Sequence, residues 1–359
     1  MLPEAPDPPS RSPVFPCLGA GALGAAALLL VQGCGTLYLL QAARGEREVL
    51  VKRRPIAAVI ADPRTAEPLR GKLETVQDVR AFAVASLGLP DGRSYRSYAD
   101  IGRPFVVWNV VAAPEFSVEP LRWCFPVAGC VAYRGYFREA QARAFARRLQ
   151  ARGRDVFVGG VPAFSTLGRF ADPVLSTLIG YSDAELAAIV FHELAHQVVY
   201  VKGDSEFNEA FATTVEAAAL ARWLEARGRQ GELDAYRLRR ARQQAFIERF
   251  AQARSRLRAL YGATLPPAVM RTRKQAMFAA LGAELRTLEQ QIDVGSGSEA
   301  WFEQGLNNAH VAAVATYFEC APGFERLLAA QGGDLPRFYA AVRVLARRPR
   351  AERDALCAR

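Results

Sequence analysis

The sequence predicts an α+β fold, predominantly helical with a small mixed sheet. Three observations predict it. Residues 104–136 and 155–167 concentrate β-branched and aromatic side chains, which suit strands. The flanking stretches carry apolar residues at helical spacing. The order is helices, a small sheet, then many helices. Residues 45–100 read as amphipathic helix broken at Pro55, Pro63 and Pro90. Phe105–Ala112 and Cys130–Phe137 read as strands, and residues 138–152 as a helix of Ala and Arg. Asp155–Leu167 reads as another strand, interrupted at Gly159-Gly160. From Ser182 onward the chain is nearly all helix. Phe246, Phe250, Ala253, Leu257 and Leu260 keep helical spacing, as do Leu281, Leu285 and Leu288. Gly295–Ser298 is a flexible connector.

The chain has 359 residues, 51% hydrophobic and 23% charged, which leaves room for a large core. A disordered chain, a collagen and a disulfide mini-protein are excluded. The net charge is +10. Only Lys52, Lys72, Lys202 and Lys274 are lysines, and the arginines are spread along the chain without aromatic interleaving. Arg237, Arg239, Arg240 and Arg242 read as a solvated helix face. No nucleic-acid partner is expected.

One long uncharged stretch exists, from Ser12 to Ala43, with an apolar centre over Leu18–Val31. A polytopic membrane protein is therefore excluded, and a signal or anchor segment is expected over 1–34. Val31-Gln32-Gly33-Cys34 resembles a bacterial lipoprotein cleavage box, in which Cys34 would carry the lipid. The remainder, 35–359, reads as one domain: 35–180 with helices and the small sheet, 181–359 helical. The expected place is the bacterial cell envelope, membrane-anchored through the N-terminal segment and facing the periplasm. Cys124 and Cys130 flank a Pro-Val-Ala-Gly stretch. They read as two buried thiols or, in an oxidising compartment, as a local disulfide. No Cys-x-x-Cys occurs, so a cysteine zinc site is unsupported.

The chemistry concentrates in Phe191-His192-Glu193-Leu194-Ala195-His196-Gln197, an HExxH motif holding two of the three histidines. Ser182-Asp-Ala-Glu185 is a capping box that starts a helix. Leu186, Ile189, Val190 and Leu194 give that helix a buried face, and Gly203 is expected to stop it. The motif is thus expected mid-helix. Residues four apart lie about 40° apart around the axis, so both imidazoles can share one metal ion. Glu193 lies about 100° from His192, placed to hold a water and take its proton. This is a zinc-hydrolase arrangement with one Zn2+ per chain.

Zinc needs a third protein ligand, and Asp204, Glu206, Asn208, Glu209 and Glu216 follow. Asp204-Ser205 can cap a second helix running to about Arg227. On it, Phe207-Asn208-Glu209-Ala210-Phe211-Ala212 resembles the Asn-Glu-x-Phe-Ala signature of zinc peptidases whose third ligand is glutamate. By that match Glu209 binds the metal, with Asn208 beside it. Glu216 lies roughly 10 Å further along the axis, too far to share the ion but able to support a ligand. Thr213, four residues after Glu209, faces the same side and is expected to hydrogen-bond a ligand histidine.

The chain resembles the bacterial family of predicted aminopeptidases, zinc metallopeptidases of gluzincin type. The resemblance runs from about Cys34 past Tyr317. It is carried by Trp123–Phe137, Phe164–Gly168, Asp172-Pro173, Phe191–Gln197, Phe207–Glu209 and Asn307–Ala309. It implies a zincin-like fold and hydrolysis of a peptide or protein substrate, most simply as an aminopeptidase. Twelve residues separate His196 from Glu209, fewer than in the larger gluzincin aminopeptidases. The oxyanion of such a reaction needs a donor, and His310 and Tyr317 share one face of a late helix. Zincins place a substrate-binding edge strand before the motif helix, which points to Ala163, Phe164, Ser165 and Thr166. Glu115 is the candidate anchor for a substrate amine. The rival readings are a zinc endopeptidase on the same site and a zinc-binding, non-catalytic interaction protein.

Overall fold

A computed structural model of the chain describes residues 37–125, 129–163, 166, 168, 170–292, 305–318 and 320–357. The chain divides into two compact units, Met1–Arg44 and Gly45–Arg359. In the first, residues 37–44 are helical. Cys34 and the apolar stretch before it lie outside the described residues. Among the described residues no helix is long and apolar enough to cross a membrane.

The second unit is α+β and predominantly helical. It opens with α1 (residues 45–51), β1 (Arg54–Pro55), α2 (Ile56–Ala61) and α3 (Glu67–Leu87). Then come β2 (Ser97–Ala99), β3 (Val107–Pro114), β4 (Trp123–Phe125), β5 (Gly129–Val131) and β6 (Arg134–Tyr136). Helix α4 (Glu139–Gln150), β7 (Arg154–Val161) and β8 (Val174–Leu175) complete this half. The rest is helical: α5 (Asp183–Ala195), α6 (Ser205–Glu225), α7 (Gln230–Tyr261), α8 (Pro267–Ile292) and α9 (Asn308–Phe318). Helices α10 (Ala321–Ala330), α11 (Leu335–Ala346) and α12 (Arg350–Cys357) close the unit.

The strands form three small sheets. The largest is antiparallel, in the order β6-β3-β7, with Val107 opposite Val161 and Pro114 opposite Arg154. A second, ordered β1-β2-β8, pairs β2 with β8 in parallel. The third is the hairpin β4-β5, in which Cys124 and Cys130 face each other and form a disulfide.

Two strand expectations change. The glycines at 159 and 160 do not interrupt β7, because the strand uses Gly160: a Cβ there would sit 2.3 Å from the Phe105 ring. The ladder stops at Val161, so Ala163 and Thr166 are not strand residues. Pro162 offers no N–H to extend it, and Thr166 is drawn into a turn by Asp172. Cys130–Phe137 is likewise two strands, because β5 pairs within the hairpin while β6 joins β3.

The main core gathers Leu73, Val76 and Leu87 of α3, Leu186, Val190 and Leu194 of α5, and Phe211 and Trp223 of α6. Phe324, Phe338 and Tyr339 of α10 and α11 close it. A second cluster joins Phe250 and Leu257 of α7, Leu281 and Leu285 of α8 and Val311 of α9, as the helical spacing required. Cys320 and Cys357 form a second disulfide, which ties α12 to the start of α10.

Candidate metal centre

Helix α5 begins at the expected capping box. The Ser182 hydroxyl accepts from the Glu185 N–H, and the Glu185 carboxylate accepts from Ser182. The helix is shorter than its apolar spacing suggests. It ends at Ala195, which makes His196 its C-cap instead of a mid-helix residue. His196 keeps right-handed helical angles and donates its N–H to the His192 carbonyl, so the four-residue geometry survives. The early ending has a cause in Asn208. Its side chain both accepts from the Val201 N–H (2.7 Å) and donates to the Val201 carbonyl (2.8 Å). That two-sided bond satisfies Val201 outside any helix.

Helix α6 starts where its cap predicts, with the Asp204 carboxylate accepting from the Phe207 N–H. Asp204 is also gripped by Arg353 of α12, at 2.7 and 2.8 Å. The disulfide hairpin rests on the same joint. A Cβ on Gly129 would lie 2.7 Å from the Gly203 nitrogen, and Arg122 donates to the carbonyls of both Cys130 and Gly203. Arg122, Gly129 and Cys130 thus buttress the connection between α5 and α6.

With both helices fixed, His192, His196 and Glu209 present ligand atoms that all lie within 4.8 Å of one another. Glu209 Oε2 stands 3.3 Å from His192 Nε2 and 3.9 Å from His196 Nε2. Ligands about 2.1 Å from one tetrahedral zinc stand about 3.4 Å apart, so the observed spacing suits such an ion. The protonation pattern fits too. Burial holds the His196 imidazole down at about 4, neutral and able to donate a lone pair. Its Nδ1 is buried without a hydrogen-bond partner among the described residues. For His192 burial opposes the charge, but hydrogen bonds to Glu209 and Glu216 outweigh it and raise the imidazole well above its usual range. A cation at His192 Nε2 would take the place of the proton shared with Glu209 and leave Nδ1 to Glu216.

Glu216 takes the supporting position expected of it, with Oε2 at 3.1 Å from His192 Nδ1. Its other oxygen accepts from Tyr236 of α7 at 3.4 Å. Among the described residues Thr213 is not the partner of either histidine's Nδ1: that of His192 meets Glu216 and that of His196 meets none. Thr213 lines a cavity of about 350 Å3 together with Arg240, Gln244 and Glu325. Arg240 pairs with Glu325 at 3.1 Å, so this member of the arginine run is not simply a solvated residue.

Glu193 is part-buried and makes no hydrogen bond to the described residues. Burial, and the neighbouring charges of Glu209 and Asp172, push its carboxyl up to about 7, against the pull of His192. Asp172 organises the turn before α5: its carboxylate accepts from the Thr166 hydroxyl (2.6 Å) and N–H (3.1 Å). Gly168, at φ +73°, and Gly92 lie against the Gln197 side chain, where a Cβ would meet its oxygen at 3.0 and 3.1 Å. Gly92 and Gly168 therefore both abut the chain just after α5.

The remaining candidates are spread more widely. His310 is wholly buried, its ring 4.6 Å from that of Phe157 on β7 and its Nδ1 3.1 Å from Asn307 Oδ1. Its neighbour Asn308 bonds the carbonyls of Pro114 and Glu115 and accepts from Tyr261, which pins α9 to the end of β3. Glu115 pairs with Arg271 of α8 and is not among the three converging ligands. Tyr317 falls within α9, but its side chain, like Phe164 and Ser165, lies outside the described residues. Asp172, Tyr236 and Tyr95 are neighbours of the site that spacing alone did not mark.

Fold and site together define a class: a helical α+β protein with a candidate three-ligand metal centre beside a part-buried carboxylate. The chain belongs to the family described as "Putative aminopeptidase", which matches residues 37–357. No curated protein and no solved structure matches the chain. The family match takes in every residue of the site, and its description points to aminopeptidase activity.

Proposed function

We propose that the protein is a zinc-dependent aminopeptidase. The observation that carries the reading is the convergence of His192, His196 and Glu209 beside the carboxylate of Glu193, which makes no hydrogen bond to the described residues. A zinc ion held by those three residues would polarise the scissile carbonyl and acidify the attacking water. Glu193 takes the water proton at its carboxylate and returns it to the leaving nitrogen. Glu216 holds the His192 ring through Nδ1, which leaves Nε2 for the metal. The two disulfides support an oxidising compartment, and the apolar stretch before Cys34 supports attachment to a membrane.

The test is metal content and hydrolysis measured together on the full chain. One zinc per chain, with cleavage of free-amine peptides but not their N-acetylated twins, is the expected result. Cleavage of both would make it an endopeptidase, and zinc without cleavage of any peptide would make it an interaction protein. Glu216→Ala is expected to weaken zinc about 10- to 100-fold in a chelator competition, as loss of a partner behind a ligand histidine does. Unchanged affinity would show that Glu216 does not orient His192.

A further inference from the structure

Helix α12 has little of its own to hold it in place. It has eight residues, none of them buried, and a helix of that length does not persist alone in water. Its last turn, at Leu356 and Cys357, is partly buried against the main core. There Cys357 is bonded to Cys320, the N-cap of α10. Gly323 of α10 leaves room for the Leu356 carbonyl, which a Cβ would strike, and Arg326 donates to that carbonyl at 3.1 Å.

The same small helix reaches the metal centre through α6. Arg353, one turn before Cys357, grips the Asp204 carboxylate that caps α6. Its guanidinium also lies 5.8 Å from the Phe207 ring. Phe324 of α10, one turn after Cys320, meets that ring edge-on at 5.0 Å. The first turn of α6 is therefore held between a side chain from α10 and one from α12. The bridge joins the two helices that supply them, and Glu209 follows Phe207 by two residues.

We propose that the Cys320–Cys357 bridge is a redox latch on the metal centre. Closed, it keeps Arg353 on the cap of α6 and Glu209 in place. Opened, it frees α12, leaves the Asp204 charge buried without its partner, and weakens the hold on zinc. The proposal rests on the zinc reading above. The reductant is a dithiol. Its thiolate attacks the Cys357 sulfur, on the part-buried side of the bridge, and Cys320 leaves as a thiolate. The second thiol of the reductant then displaces Cys357. Two electrons and two protons pass to the cysteines, and the dithiol departs as its own disulfide. The reverse exchange with a disulfide oxidant closes the latch, so the chain gains its full affinity for the metal only once the two thiols are joined.

The test is the full chain carrying Cys320→Ser and Cys357→Ser, with Cys124–Cys130 intact. Zinc is expected to bind about 10-fold more weakly in a chelator competition, as when a ligand loses its support. Adding Arg353→Met should weaken it little further, because both changes act through one contact. Wild-type zinc affinity in the folded serine variant would overturn the latch and leave a bridge that only staples the fold. Fully additive losses would overturn it too, since the bridge would then act by another route than Arg353. A second measurement does not depend on the serine variant folding. In metal-free chain carrying Cys124→Ser and Cys130→Ser, reduction with dithiothreitol should raise amide hydrogen exchange in α12 and in the first turn of α6 together. A rise in α12 alone would overturn the coupling. Failure of the zinc reading looks different and removes the object of the latch: the bridged wild type itself would bind no zinc.

Discussion

Glu193→Gln is expected to keep its zinc and lose about 10³-fold in kcat, within the range a positioned general base contributes. The amide is nearly isosteric with the carboxylate but cannot accept the water proton. None of the three converging ligands is touched, and Glu193 makes no hydrogen bond to the described residues that the change would break. Zinc by mass spectrometry and steady-state kinetics on the same preparation are the measurements. A variant with bound zinc and near-normal kcat would transfer the base role elsewhere.

Arg353→Met carries the largest expected cost in stability, about 3–5 kcal/mol, because it strips the partner from a buried carboxylate. The Asp204 side chain is 4% exposed and caps α6 as well as binding Arg353. Its charge would be left in the core at the start of the helix that carries Glu209. Urea unfolding should show the loss, and the double variant with Asp204→Asn should recover part of it. Zinc affinity should fall alongside, since the first turn of α6 sets where Glu209 stands. An unchanged unfolding midpoint would mean that water reaches Asp204 and the pair is not truly buried.

The parts of the site that were legible in the sequence are those whose geometry is local. His192 and His196 are one helical turn apart whatever surrounds them, and the Ser182–Glu185 box declares its own helix start. Glu209 required the likeness to a known signature, because five polar side chains near the joint offered the same chemistry. Where α5 stops was not legible. The apolar spacing runs on past His196, and it is the Asn208 amide, bonding Val201 from the next helix, that ends it. The same holds for Gly160, whose place in β7 depends on a ring from Phe105. The Cys320–Cys357 bridge joins residues 37 apart across three helices, and spacing alone does not give connectivity. Nothing local marked the backbone of Tyr95, at φ +59°, whose N–H is bonded to the Asp172 carbonyl far away in sequence.

The short joint between α5 and α6 has a mechanical consequence. It is fastened from inside by Asn208, from one side by the disulfide hairpin at Gly129, and from another by Arg353. Neither helix can swing without breaking one of these, so the pair behaves as a fixed jaw. On the other side of Gln197, the bond from the Tyr95 N–H to the Asp172 carbonyl ties the turn after α3 to the residue that precedes Pro173, so that neighbour of the jaw is fastened through the main chain as well.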